Sequence, residues 1–143
     1  RFTAAAVDLA GNRDPSVATT VFSVPSDLTA PRSGAWRTVR GGSDYFGGDY
    51  LETDTVGSRV TTKPMVFRAL RLIAPAGPRL GTIEVQIGDG VPRPVRLTAA
   101  KYQPFKVYVL RDEFAGRVGA KITIRARSLT RNQVVRVDAV LAR

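Results

Sequence analysis

A chain of 143 residues holds one self-supporting domain, or a domain with a fragment of a neighbour, and a 43% hydrophobic content can build its core without cross-links. Cysteine and histidine are both absent, which removes disulfides, thiolate or imidazole metal sites and the commonest acid–base catalyst, while oxygen-only calcium sites stay open. The formal net charge of +10 admits an anionic partner, but the basic residues come singly or as alternating pairs, as at Arg68, Arg71, Arg111, Arg125 and Arg127, and form no run of the kind that binds nucleic acid as a tail.

Residues 1–24 read as a β-hairpin of their own. Strand patterns at 2–7 and 19–24 flank a dense set of turn formers, Asp8, Gly11, Asn12, Asp14 and Pro15. The chain opens on a strand rather than a leader, so it reads as a piece cut from a longer protein. Residues 25–34 carry Pro25, Pro31, Ser26, Ser33 and Gly34 and are expected to be a linker, with the domain boundary there.

From residue 35 to 143 the text is almost wholly β. Short strands are expected at 36–39, 49–53 and 59–63, with a glycine-rich loop at 41–48. A long apolar strand is expected over 66–74, closed by a turn at Pro75, Ala76, Gly77 and Pro78. Ile83, Val85 and Ile87 alternate with Thr82, Glu84 and Gln86, the period of a half-buried strand, and Gly88, Asp89 and Gly90 make a hairpin turn after it. Strands follow at 91–97, 105–110, 121–127 and 133–141. In 121–127, Ile122, Ile124 and Ala126 face inward. A single helical turn is the most that 112–117 can hold, because Gly116 and Gly119 limit it. No run of about 18 apolar residues exists to cross a membrane as a helix. Many short strands between Gly and Pro turns argue an all-β fold, a two-sheet antiparallel β-sandwich with the additional N-terminal hairpin.

Several stretches of this text look like a known family. They are Trp36; the run 43–50 with its Tyr45, Phe46, Gly47, Gly48 segment; 57–61; 66–72; 75–81; 84–90 with its Asp-Gly turn; and 136–140 as a closing strand. Together they make residues 36–141 resemble bacterial extracellular jelly-roll domains of the galactose-binding and carbohydrate-binding-module type. The sequence departs from that pattern at residues 65–68, which lack an expected glycine, and at Ala120 and Lys121, where a Gly-His pair is common. Residues 2–24, through the run 6–15, resemble the last two strands of an immunoglobulin-like or fibronectin-type repeat. The resemblance implies a jelly roll, an extracellular or cell-surface setting, other domains in the parent protein and a polysaccharide or cell-surface glycan as partner.

The candidate ligand residues are aromatic and polar side chains on loops, where flat rings can stack on sugars and a few polar groups orient them. Tyr45 and Phe46 lie in the glycine-rich loop, Tyr50 at a strand start and Tyr102 between Lys101 and Pro104. Trp36 is expected in the core, and Tyr50 reads either as a core residue at a strand end or as part of the site. Asp44 heads an acidic group with Asp49, Glu52 and Asp54, which could cap loops, hold structural calcium or serve as a carboxylate pair. Arg79 offers a bidentate fork to an acidic glycan, as do Arg93 and Arg96. With no histidine, and with Lys63, Lys101, Lys106 and Lys121 outside any Ser-x-x-Lys spacing, no nucleophile triad can be placed. The sequence thus reads as a non-enzymatic accessory module binding carbohydrate through loop aromatics, or else as a structural or adhesive spacer without a small-ligand site.

Overall fold

The computed structural model describes residues 2–4, 18–20, 25–28, 31–112, 116 and 118–143. Alternation dictates the architecture. Strands with every second residue apolar must bury that face against another sheet. The chain does so as an all-β, antiparallel jelly-roll sandwich.

One sheet has five strands. β4 (Arg32–Ser33), β7 (Arg59–Thr61), β10 (Thr82–Ile87), β11 (Arg93–Arg96) and β14 (Ile122–Ser128) lie in the order β11-β10-β14-β7-β4. The facing sheet has four. β3 (Pro25–Asp27), β9 (Leu70–Ala76), β12 (Gln103–Arg111) and β16 (Ala139–Ala142) lie in the order β12-β9-β16-β3. Val60, Ile83, Val85, Ile122, Ile124 and Ala126 of the first sheet pack on Leu70, Leu72, Ala74 and Val140 of the second, all nearly or wholly buried. A three-stranded sheet, β5 (Arg37–Arg40), β6 (Asp49–Thr53) and β15 (Val135–Val137), adds Leu51, Val135 and Val137 to the same core. β8 (Met65–Phe67) pairs with β13 (Val118–Ala120). β1 (Phe2–Ala4) and β2 (Ala18–Thr20) pair with each other as the hairpin expected at the N-terminus. The loop expected at 8–15 and most of the helical turn at 112–117 lie outside the described residues.

Four expectations shift, each for a local reason. The long strand at 66–74 breaks into β8 and β9, because the amides of Arg68 and Ala69 both turn to the carbonyl of Arg143. Pro75 and Ala76 belong to β9 rather than to a turn. Pro75 sits where the β9–β12 register is irregular, a place that spares its missing N–H, and the turn moves to residues 77–80. The strand at 133–141 divides at Asp138, whose N–H donates to the Ile73 carbonyl at 3.0 Å, so that β15 and β16 join different sheets. Inside the stretch expected as linker, β3 and β4 pair with β16 and β7, and Leu28 is buried in the core. Both strands lie at sheet edges, where proline is tolerated.

Candidate functional site

The outer side of the three-stranded sheet carries the densest set of chemistry-bearing side chains. Register creates it. Arg37 on β5 and Arg136 on β15 each lie opposite Glu52 on the central β6. Glu52, 5% exposed, receives both. Arg37 donates Nε to Oε1 at 3.0 Å and bonds the same oxygen through Nη2; Arg136 donates Nε to Oε2 at 2.7 Å. Two guanidiniums on one carboxylate leave this cluster with a net positive charge. Burial pushes the Glu52 carboxyl up, but the hydrogen bonds and charges of the two arginines outweigh it and hold it below the ordinary carboxylate range.

Period two puts Tyr50 on the same face as Glu52. The Arg136 guanidinium stands 5.1 Å from the centre of the Tyr50 ring, a cation–π contact. Tyr45, from the loop at 41–48, tilts over Tyr50 with centroids 4.4 Å apart and planes at 34°. The Tyr45 hydroxyl hydrogen-bonds the Tyr102 hydroxyl, and Arg136 Nη1 approaches that same Tyr102 oxygen at 3.5 Å. Burial first, then the Tyr102 partner, raises the Tyr45 phenol above its usual range; burial raises Tyr50 against the opposing pull of Arg136. Tyr102 is 48% exposed and forms the open rim, while Tyr50 is buried beneath.

Two glycines make room for these rings. A Cβ at Gly41 would stand 2.2 Å from the Tyr45 ring and 2.9 Å from Tyr50; one at Gly77 would stand 2.9 Å from Tyr102. Gly41 has φ −118°, which any residue adopts, so space is what requires glycine there. The loop is a 3₁₀ turn at Gly42–Asp44 and a tight turn at Phe46–Gly48, which Gly47 at φ 71° keeps from being helical, and it is tied back where β15 ends. The Phe46 N–H donates to both oxygens of the buried Asp138 carboxylate, at 3.1 and 3.2 Å.

Tyr45, Tyr50 and Tyr102 therefore meet, although they come from distant stretches of the chain. Phe46 contributes its backbone amide to the anchoring of the loop. Asp44 is exposed on the first 3₁₀ turn, and Arg79 is exposed in the turn that follows Gly77. Among the described residues neither hydrogen-bonds the tyrosine cluster. Trp36 is a core residue. The acidic group does not assemble. Asp49 and Glu52, three apart on one strand, point to opposite faces; Asp54 accepts a bond from the neighbouring Thr55 hydroxyl; and among the described residues no three carboxylates are grouped to hold a metal ion. Arg37, Glu52 as an arginine acceptor, Arg136 and Asp138 escaped the sequence reading. Their signal is the cross-strand register, which periodicity within one strand does not reveal.

No family model matches the sequence, and no curated protein matches it. Solved structures do. An exo-beta-1,3-galactanase from Phanerochaete chrysosporium matches at 17% identity and TM-score 0.62, over 94% of this chain and 31% of its own. A family two carbohydrate esterase from Cellvibrio japonicus matches at 16% identity and TM-score 0.61, over 85% of this chain and 33% of its own. The chain thus spans about a third of the length of these two. A family 35 carbohydrate binding module from Clostridium thermocellum matches at 8% identity and TM-score 0.57, over 84% of this chain and 98% of its own. The jelly roll built here is the fold this chain shares with a whole carbohydrate-binding module and with parts of an esterase and a galactanase.

Proposed function

We propose that this chain is a non-catalytic, carbohydrate-binding module of a secreted or surface-exposed protein, with Tyr102 and Tyr45 as its sugar-facing rim. The observation that carries the reading is the convergence of three tyrosines and Arg136 on one face of the sandwich. An exposed phenol ring offers a flat surface to the apolar face of a sugar, and the hydroxyls and guanidinium beside it can donate to sugar oxygens. The surplus positive charge of the Arg37–Glu52–Arg136 row favours an acidic glycan over a neutral one. Likeness to a carbohydrate-binding module over nearly its whole length supports an accessory role, and the hairpin of β1 and β2 fits the end of a preceding immunoglobulin-like repeat.

Isothermal calorimetry against a neutral β-1,3-galactan and an acidic polygalacturonate, at low and moderate salt, tests this. Binding that Tyr102→Ala weakens by about tenfold or more, with folding unchanged, supports the rim. Binding confined to the acidic polymer and lost with salt assigns recognition to the arginines alone. No binding to either polymer overturns the reading.

A second reading has its own observation. Both oxygens of Glu52 and both phenol hydroxyls are engaged within the protein. A cluster so closed can act as cement in a spacer domain. In that case Tyr102→Ala lowers the melting temperature and changes no binding.

A further inference from the structure

β12 is the edge of the four-stranded sheet, and among the described residues no strand pairs with its free side. Its nine residues alternate cleanly. Pro104, Lys106, Tyr108 and Leu110 turn toward the sandwich, whereas Phe105, Val107 and Val109 stand 55%, 41% and 55% exposed. A long edge strand with an apolar outer stripe is a template for another strand. Of the usual defences, Lys106 is the one charge within the strand and the others sit at its ends. Pro104 and a register irregularity guard one end, a second irregularity lies between Val109 and Arg111, and the ladder from Lys106 to Val109 is regular. The same edge opens on a cleft of about 630 Å³ that Val85, Ile87, Val91, Val95, Val109 and Leu110 help to line.

We propose that this edge pairs with the β12 of a second copy, antiparallel and centred on Val107, to make a weak symmetric dimer with a continuous eight-stranded sheet. The strand is complementary to itself in that register. Val107 meets Val107, Phe105 meets Val109 twice, Lys106 meets Tyr108 twice, and Gln103 meets Arg111 twice. No like charges are opposed, and the Phe–Val pairs are of a type that stabilises sheets. Lys106 already sits 5.1 Å from the centre of the Tyr108 ring within one copy, so the pair is compatible across the axis as well. Moving the centre to Lys106 sets lysine against lysine. Moving it to Tyr108 sets Arg111 against Phe105 and Lys106 against Leu110. A shift to an odd register turns one copy's apolar stripe to the wrong face. A two-fold axis through an antiparallel pair closes the assembly at two copies, which leaves no open edge of β12 for further growth.

Sedimentation velocity of the full chain over a rising concentration series tests the proposal, with circular dichroism and a thermal melt as folding controls. The wild type should pass from monomer to dimer. Val107→Lys, which places two ammonium groups across the axis, should weaken association by about tenfold or more while leaving the melt in place. Val107→Glu alone should behave likewise, and an equimolar mixture of the two variants should recover a dimer. A wild type that stays monomeric to its solubility limit overturns the proposal. So does a Val107→Lys variant that dimerises as the wild type does, or a mixture that fails to associate although each variant folds. None of these outcomes depends on whether the chain binds carbohydrate.

Discussion

Glu52 organises the candidate site more than any aromatic residue does. It is buried at the centre of a three-strand row, and it fixes Arg136, which in turn stands beside Tyr50 and Tyr102. Because its folded-state affinity for a proton is lowered, its contribution to stability is fully present above its ordinary value of about 4.5 and fades as the pH falls through the lower folded value. Glu52→Gln keeps the shape and removes the charge. We expect it to cost about 1–3 kcal/mol near neutral pH. The gap to wild type should close in acid, since protonation does to the carboxylate what the substitution has already done. Melting temperatures of both proteins between about pH 3 and pH 7 read this directly. A gap that is constant with pH would show that the loss is one of shape and not of charge. Residue types alone made the aromatic part of this site legible: Tyr45, Tyr50 and Tyr102 stand out in the text. They did not make Glu52 legible, since an acid at the fourth position of a strand looks the same whether it meets solvent or two arginines. Arg79, which had the more obvious sequence context beside a turn, stands at the surface away from the cluster's hydrogen bonds.

At the scale of elements, the site is a meeting of loops held by a sheet. The 41–48 loop is tied down through the Phe46 amide at Asp138, the point where one long strand divides between two sheets. Its rings need bare backbone beneath them. Gly77→Ala brings a methyl within 2.9 Å of the Tyr102 ring, an exposed side chain that can swing aside. The expected outcome is a displaced rim with little loss of stability, below about 1 kcal/mol. Gly41→Ala meets two rings, of which Tyr50 is buried, and should cost more, about 1–3 kcal/mol from overpacking. Urea titrations of both variants, set beside their glycan affinities, separate the two effects. Equal stability losses would mean that Tyr102 is as firmly seated as Tyr50. Alternation made β10 and β14 legible. The breaks in the two long strands were not. Arg68 and Asp138 divide their strands because of partners at Arg143 and Ile73, and contacts at such separations leave no trace in local periodicity.

For the whole molecule, the all-β sandwich agrees with the pattern of the text, since alternating faces need a facing sheet to bury them. Which short segments complete it does not follow. Pro25 and Pro31 argue against strand in the interior of a sheet, and the same residues are acceptable at its margins, where β3 and β4 lie. The interior position of Trp36, 9% exposed and the single tryptophan of the chain, bears on how the protein can be watched. Its indole looks into the core from the residue before β5, while the rim tyrosines stand on the other side of that small sheet. Its emission is therefore a gauge of folding. It should hold its wavelength and intensity while a glycan is titrated in, and shift to the red as urea opens the sandwich. A spectral change during titration would mean that ligand binding reaches through β5 to the core. With a quiet tryptophan, the optical signature of binding belongs to the tyrosines, whose absorbance should be perturbed when a sugar covers Tyr102 and stay unperturbed in the Tyr102→Ala variant.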